Sequence, residues 1–551
     1  MPAQSANHPS HLSEASSQSK SRPNLALKQE LGACFRSILF DECEAWTEGD
    51  EQNVPEFFGD LNLDQVVNSI TNGREEYRLK RFFYLPLRRV EAVRYRQDVF
   101  RDLEKPRLLQ LVRLFAEDMR SMRAHLARSE KRYYKLQKQA AFLDAVEAYC
   151  NATVTFTRGL VSAGPSSSGF QRLSDFLNRY STSENFTALK GETAKIRAAL
   201  RQVRYSLHIR SARVTVDRND IGEDYSQEVL HTFEKFRQTD PRGHRFKLPQ
   251  SIEMNHIEAR ILDLVARLHE GLFAHLDDYC SRHRSYCHEV IARFDREVQF
   301  YIAYLEQMEQ VEKVGLSFCF PEVTSESKEV QALDTYDLAL ANQLISAHKD
   351  VVTNSFYLKD PERIFVVSGP NQGGKTTFAR TFGQIHYLAA LGCPVPGASA
   401  KLLLFDKIFT HFEKEENIQN LRGKLEDELI RINDILEKAS AHSILIMNES
   451  FLSTTMNDAL FLSREVMKQI LALNFLCVTV TFLDELASFS EMTVSMVSTV
   501  NPDDPQQRTF KVIRRPADGL AYAAAIAEKY RLTYDAVKMR VDAKQSEVRR
   551  P

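Results

Sequence analysis

The sequence has few cysteines, no long apolar run and almost no net charge. Its eight cysteines lack the paired short spacings of a disulfide framework, which in a chain of 551 residues indicates reduced thiols and a cytoplasmic protein. No apolar segment is long enough to cross a bilayer, and the N-terminus through about Asn24 has no apolar core that would make it a signal peptide. The formal net charge of -2 excludes a globally basic nucleic-acid-binding protein but permits local basic stripes.

The sequence pattern divides the chain into three parts. Residues 1–50 open with a Ser-, Gln- and His-rich stretch and are predicted to be disordered or variable. Residues 51–330 carry long amphipathic stretches of helical period, interrupted by "YSLHIRSARVTV" (Tyr205 to Val216), whose alternation predicts a short hairpin. Residues 331–551 contain short apolar strands between helices, such as "RIFVVSG" and "NFLCVTVTF", which predict an α/β sheet layer.

The stretch "VVSGPNQGGKTTFAR" joins a β-branched run to a Gly-rich turn and then to a helical pattern. A strand that stops at Gly369 and restarts as a helix at Thr376 directs unpaired N–H groups into one concavity, which the helix dipole makes positive. Lys375 can reach the β- and γ-phosphates of a nucleotide, and the Thr376 hydroxyl lies where a Mg²⁺ ligand is needed. The spacing fits the phosphate-binding pattern G-x-x-x-x-G-K-[ST] in full. The alternative is a Gly-rich turn that precedes a helix by chance. The residues predicted to bind the nucleotide are Gly369, Pro370, Asn371, Gln372, Gly373, Gly374, Lys375, Thr376 and Thr377.

A second candidate site lies in "HSILIMNES" (His442 to Ser450), an apolar strand that ends in polar residues. An enzyme that hydrolyses a nucleotide places a metal-orienting acid and a general base at such a strand end. Glu449 is in position for the base, and Asn448 is in position to orient the metal. The alternative is an ordinary strand end.

Two further groups of residues have competing interpretations. Cys280, His283, Cys287 and His288 have metal-binding side chains, but the first three fall with Leu276 and Phe294 on one helical stripe, as a core face would. The run from Arg120 to Lys138, which includes Tyr133 and Tyr134, is either a solvated helix face or a surface that contacts phosphates. "RQVRYSLHIRSAR" (Arg201 to Arg213) has the same two interpretations.

Several segments together resemble the MutS family of DNA mismatch repair ATPases. "GPNQGGKTT" resembles the family's phosphate loop and "VVTNSFYL" the segment before it, while "KIFTHFE" and "ESFLSTTMNDA" are similar to segments before the signature motif and after the hydrolytic acid. "GLAYAAAIAEKYRLTYDAV" is similar to the closing helices. "LNLDQVVNSIT" and "LKRFFYLPLRRVEAVRYRQDVFRDL" resemble the opening of the family's core and lever domain.

The resemblance implies a helical core/lever domain over residues 51–330 and an α/β ABC-type P-loop ATPase domain of the MutS type over residues 331–551. It implies ATP and Mg²⁺ as cofactors and a homodimer whose helical levers extend toward DNA. The core begins by about Phe57, so we expect no mismatch-binding and connector domains before it. "FAE" (Phe115 to Glu117) matches the family's mismatch wedge in letters only and is interpreted as chance.

Three positions depart from the family pattern. Asn448 stands where the family has Asp, Gly423 where it has a signature Ser, and Phe482 where a His follows the Thr of the next strand. Each change removes a charge, a hydroxyl or an imidazole that would help the metal, the γ-phosphate or the attacking water. We therefore expect ATP binding with weak hydrolysis.

The expected function is an ATPase that couples ATP binding and slow hydrolysis to lever movement on DNA, without mismatch selectivity, in repair or recombination. A variant of this hypothesis has the dimer process branched or recombining DNA. The alternative is a nucleotide-dependent scaffold whose levers hold a protein partner. Salt-dependent DNA binding distinguishes the DNA hypotheses from the scaffold.

Overall fold

The computed structural model describes residues 35–41, 54–210, 213–218, 254–413, 423–501, 507–517, 532, 534 and 536–540. Its N-terminal part is helical. The helices of this part are α1 (Phe57–Asp60), α2 (Leu63–Thr71), α3 (Lys80–Phe83), α4 (Val90–Leu103), α5 (Pro106–Lys131), α6 (Lys135–Ala163), α7 (Ser168–Thr182), α8 (Glu184–Arg201), α9 (His256–Leu268), α10 (Glu270–Arg282) and α11 (Glu289–Glu312).

Local signals in the sequence start several of these helices. Pro106 opens α5, where its missing N–H would have no helical partner in any case. Ser167 and Ser183 cap α7 and α8 by accepting hydrogen bonds from backbone N–H groups of the first turn. Asn255 and Glu258 form a reciprocal capping box at the start of α9.

The predicted hairpin is present. Strands β1 (Tyr205–Arg210) and β2 (Arg213–Arg218) pair antiparallel between α8 and α9. Tyr205, Leu207 and Ile209 occupy alternate positions of β1 and are exposed.

The C-terminal part is α/β. Its further elements are β3 (Phe318–Cys319), β4 (Glu322–Thr324), β5 (Val330–Thr335), α12 (Leu338–Ser346), β6 (Asn354–Leu358), β7 (Ile364–Ser368), α13 (Lys375–Ala390), β8 (Val395–Pro396), β9 (Ser399–Leu403), β10 (Ile408–Phe412), α14 (Lys424–Lys438), β11 (Ile444–Asn448), α15 (Met456–Leu473), β12 (Leu476–Val480), β13 (Thr493–Val500) and β14 (Arg508–Arg514). A six-stranded sheet has the order β10-β11-β12-β7-β13-β14, in which only β14 runs antiparallel to its neighbour. A four-stranded sheet has the order β4-β9-β5-β6. The predicted succession of a helical part and an α/β part is therefore confirmed.

The central strands of the six-stranded sheet are buried on both faces. Every residue of β7 and β12 is buried, as expected for parallel strands with helices on both sides. Because the carboxyl ends of β7, β11 and β12 lie at the same edge of the sheet, the residues that follow these strands are brought together.

The prediction that residues 1–50 are disordered or variable is wrong for residues 35–41. Phe35, Ile38 and Leu39 are buried in the same hydrophobic cluster as the helical part. The reason is that this short stretch carries apolar side chains, although the composition of the surrounding residues is polar. The rest of residues 1–50 lies outside the described residues.

No helix in the described ranges is both long enough and apolar enough to span a bilayer.

Candidate functional site

The Gly-rich loop between β7 and α13 has a backbone that requires glycine. Gly369 and Gly374 have φ angles of 111° and 92°, a region that residues with a side chain rarely adopt. A Cβ atom on Gly369 would lie 2.8 Å from the Ser498 carbonyl oxygen, and one on Gly373 would lie 2.5 Å from the Ser498 Oγ. The loop therefore packs directly on Ser498 of β13, which is fully buried.

Lys375 is the first residue of α13, and its side chain is folded into the loop. The Nζ atom donates to the carbonyl oxygens of Gly369 at 2.9 Å and Pro370 at 3.3 Å, and to Asn371 Oδ1 at 3.3 Å. The Phe482 ring centroid lies 4.3 Å from the same Nζ atom. Burial lowers the pKa of the Lys375 ammonium, although the negative charges of Glu449 and Asp484 oppose that shift.

The two residues predicted to orient a metal are in contact. Thr376 Oγ1 donates to Asn448 Oδ1 over 2.8 Å, which links the start of α13 to the end of β11. In the part of the chain that the structure describes, no group of three His, Cys, Asp or Glu side chains could hold a metal ion by itself. The contact therefore offers two neutral oxygens, which fit a Mg²⁺ ion whose remaining ligands are phosphate oxygens and water.

Glu449 immediately follows β11 and has a φ angle of 54°. Its N–H donates to the Val480 carbonyl oxygen at 2.9 Å, so its backbone is fixed to the end of β12. The charges of Glu449 and Asp484 both act on the Lys375 ammonium. Asp484, which the "FLDEL" segment offers together with Glu485 as an alternative acid, is therefore a second candidate for the metal-orienting charge.

The other two departures from the family pattern have different surroundings. Phe482 is 39% exposed and covers Lys375, so the ring takes part in the loop's contacts. Gly423 precedes α14 without a side chain to cap it, and a Cβ atom at this position would meet no atom of the described residues within 4 Å. A serine would therefore fit at this position among the described residues, and packing does not force residue 423 to be glycine.

The Cys and His residues at the end of α10 and before α11 make structural contacts. Cys280 and Cys287 pack on the hydrophobic cluster, His283 Nε2 lies 3.0 Å from Glu192 Oε2, and His288 caps α11 through Val290 N–H. The prediction of one continuous helical stripe is wrong, because α10 ends at Arg282 and α11 begins only at Glu289.

The basic run from Arg120 to Lys138 is not one helix face. It spans the end of α5, the turn at residues 132–134 and the start of α6. Arg123 contacts Asp295, and Lys135 Nζ lies 2.7 Å from Asp277 Oδ1, so these two charges are paired within the protein. Tyr133 at the turn is 89% exposed. Phe115, in contrast, is buried against Phe156, which excludes it as an exposed wedge.

Two buried residues beside the site were missed by the sequence analysis. Ser498 lies under the glycines of the loop, and Glu428 of α14 accepts a hydrogen bond from the Phe451 N–H at 2.9 Å. Both lie far in sequence from the residue they contact, and neither is part of a local motif. No signal in one sequence could have identified them.

These features define an α/β domain in which a glycine-rich loop, a helix start and a neighbouring strand end converge at one edge of a parallel sheet. Residues 365–537 match the family model described as MutS domain V. This part of the chain therefore carries a MutS domain V.

The chain is similar to curated members of this family. It is 24% identical over 217 residues to a DNA mismatch repair protein MutS of Orientia tsutsugamushi, covering 38% of this chain and 24% of that protein. It is 27% identical over 191 residues to an endonuclease MutS2 of Thermus thermophilus, covering 34% and 26%. It is 24% identical over 285 residues to a DNA mismatch repair protein MutS of Thermotoga neapolitana, covering 50% and 32%. The matched segments thus span between about a quarter and a third of the length of these relatives.

Proposed function

We propose that the chain is a MutS-type ATPase that binds ATP with Mg²⁺ and hydrolyses it slowly to move its helical part on DNA, in repair or recombination. The observation that carries this proposal is the convergence of Lys375, Thr376, Asn448 and Glu449 at the head of α13 and the end of β11. The proposal assigns residues 51–330 to a core/lever domain and residues 331–551 to an ABC-type P-loop ATPase domain.

The loop residues bind the triphosphate in this proposal. The backbone N–H groups of residues 369–377 and the start of α13 favour anionic oxygens. Lys375 exchanges the carbonyls that it now contacts for β- and γ-phosphate oxygens, which carry more negative charge. Asn371 makes a polar contact at the γ-phosphate.

Thr376 and Asn448 are the residues that would hold Mg²⁺, which supplies charge neutralisation on the phosphates. Glu449 positions the water that attacks the γ-phosphate, because it lies next to Asn448 and its charge acts at Lys375. Asn448 contributes a dipole and no charge, and the Phe482 ring cannot hydrogen-bond to phosphate or water. Because Asn448 lacks the charge and Phe482 lacks the hydrogen bond that would stabilise the reacting groups, we expect hydrolysis to be slow.

Contacts along α13 support coupling between the nucleotide and the helical part. Arg380 Nε donates to the Asp60 carbonyl at 2.8 Å, Gln384 Nε2 to the Leu61 carbonyl at 2.8 Å, and Tyr387 Oη to the Phe83 carbonyl at 2.7 Å. The three donors follow helical spacing and lie on one face of α13. A shift of α13 on nucleotide binding would therefore pull directly on α1 and α3.

Exposed apolar side chains in the segment that follows Glu449 support a homodimer. Leu452, Met456 and Phe461 are 50%, 70% and 62% exposed, and they lie in the loop after β11 and in α15. Because a second copy could cover some of these side chains close to the proposed nucleotide site, we expect ATP to stabilise the dimer. Light scattering that finds only monomers with ATP and Mg²⁺ present would contradict this expectation.

The end of α5 and the turn after it support DNA contact, since Arg128 of α5 and Arg132 and Tyr133 of the turn are exposed. The internal pairing of Arg123 and Lys135 reduces the charge available for phosphates, and this observation favours the alternative of a scaffold for a protein partner. Binding to a matched DNA duplex that weakens with salt, and that is indifferent to one mismatch, would support the DNA proposal. Absence of binding at low salt would favour the scaffold.

The free thiols among the described residues, Cys150, Cys280, Cys287, Cys319, Cys393 and Cys477, support the proposal of a cytoplasmic location.

The test of nucleotide binding is Lys375→Ala, with the exposed Lys349→Ala as the matched control. We expect the first variant to lose affinity for a fluorescent ATP analogue at least a hundredfold, because it removes the cation that meets the β- and γ-phosphates. The control should bind as the wild type does. Undiminished binding by Lys375→Ala would refute the proposed site.

A further inference from the structure

The backbone after β11 is strained on both sides of Ser450. Glu449 has a φ angle of 54° and Phe451 one of 65°, although neither is glycine. A bulky residue in this left-handed region persists only where the surrounding structure holds it. The direction of the Glu449 carboxylate therefore depends on what holds the segment 449–451.

Contacts from three other elements hold this segment. The Glu449 N–H donates to the Val480 carbonyl of β12 at 2.9 Å, and Ser450 Oγ lies 2.8 Å from His411 Nδ1 of β10. The Phe451 ring is fully buried, and its N–H donates to Glu428 Oε2 of α14 at 2.9 Å in a buried hydrogen bond.

In the Glu428 contact, a buried carboxylate accepts a hydrogen bond from a main-chain N–H. Glu428 is 6% exposed, and burial raises its pKa, against the opposing effects of the Phe451 N–H, Lys424 and Arg431. A buried carboxylate is retained only where hydrogen bonds compensate for its lost hydration. The carboxylate thus joins the second turn of α14 to a strained residue two positions after Glu449.

We infer that Glu428 is a positioning residue for Glu449. By holding the Phe451 N–H, it keeps the segment 449–451 in its left-handed conformation and aims the Glu449 carboxylate at the water. Loss of the acceptor lets the segment relax, and a displacement of about 1 Å at a catalytic group costs roughly a hundredfold in rate. This inference rests on the proposed ATPase function.

The test compares Glu428→Leu, which removes the acceptor but fills the space, with Glu428→Gln, which keeps an oxygen acceptor. Glu426→Leu is the matched control, because Glu426 lies on the same helix and is exposed. We expect Glu428→Leu to lower kcat at least tenfold while KM and affinity for a fluorescent ATP analogue change less than twofold. Glu428→Gln should keep at least a third of the wild-type kcat, and the control should match the wild type.

A kcat of Glu428→Leu within twofold of the wild type would overturn the inference, and so would equal losses in Glu428→Leu and Glu428→Gln. Circular dichroism establishes that each variant is folded, and Glu428→Met takes the place of Glu428→Leu if that variant does not fold. A wild type that binds no ATP would refute the proposed function instead. A wild type that binds ATP but hydrolyses none would overturn the inference and leave nucleotide binding intact.

Discussion

At the scale of residues, the conformation of the glycine-rich loop could be predicted because the signals for it are local. Gly369, Gly374 and Lys375 lie within one short stretch, in which both glycines have positive φ angles and Lys375 folds back onto the loop. Ser498 and Glu428 could not be predicted, because their roles arise from packing between distant segments. Asn448 was predicted from its place at the end of an apolar strand, and its contact with Thr376 followed only from the fold.

The first prediction at this scale concerns Asn448→Asp. An added carboxylate beside Thr376 would hold Mg²⁺ more tightly than the amide oxygen does. The Mg²⁺ concentration for half-maximal ATP hydrolysis should fall about fivefold, which corresponds to roughly 1 kcal/mol. A Mg²⁺ titration of steady-state hydrolysis measures this midpoint.

Asp484→Asn is the control variant in that titration, because Asp484 also acts electrostatically on Lys375. Our account expects its Mg²⁺ midpoint to remain near that of the wild type. An unchanged midpoint in Asn448→Asp together with a raised midpoint in Asp484→Asn would assign the metal-orienting charge to Asp484.

At the scale of elements, amphipathic helices and the β1–β2 hairpin were predictable from periodicity, because one apolar face suffices to define each of them. The break between α10 and α11 could not be predicted from periodicity, because Leu276 and Phe294 are both buried and the apolar spacing continues across the loop. Periodicity reports which residues enter the core and does not report where a helix ends. The burial of residues 35–41 against α11 was missed for a related reason, because their partners are distant in sequence.

The contact between α11 and residues 35–41 predicts a dependence of stability on pH. Glu297 of α11 accepts hydrogen bonds from Ser37 Oγ at 2.8 Å and from the Ile38 N–H at 2.9 Å. Burial raises the pKa of Glu297 from 4.5 to about 7, although the hydrogen bonds and Arg293 oppose the shift. The folded state then binds more protons than the unfolded state between these values, so this group lowers stability as pH rises from about 4.5 through about 7.

Glu297→Gln should remove this dependence while keeping an oxygen acceptor for Ser37 and Ile38. Relative to the wild type, the variant should gain about 3 kcal/mol between pH 5 and pH 8. Thermal unfolding followed by circular dichroism at the two pH values measures the gain, and the exposed Glu322→Gln is the control. A difference between Glu297→Gln and the wild type that is the same at both pH values would contradict the assignment.

At the scale of the whole molecule, α13 connects the two parts of the chain. One end of the helix carries Lys375 and Thr376, and side chains further along it bind carbonyl groups of α3 and of the residues around the end of α1. The order of a helical part and an α/β part was predictable from the change in hydrophobic period. The connection through α13 was not predictable. The side chains that make it, Arg380, Gln384 and Tyr387, contact residues 320, 323 and 304 positions earlier in the sequence.

The central claim is that ATP occupies this site and is turned over slowly through Glu449. The most direct measurement mixes the protein with an equal amount of ATP and Mg²⁺ and then determines the bound ATP and ADP over time. Wild type and Glu449→Gln should both retain ATP, because the substitution leaves Lys375 and the loop unchanged. The wild type should convert it slowly to ADP, whereas the variant should convert none. No retained ATP in the wild type, or equal conversion by Glu449→Gln, would contradict the account.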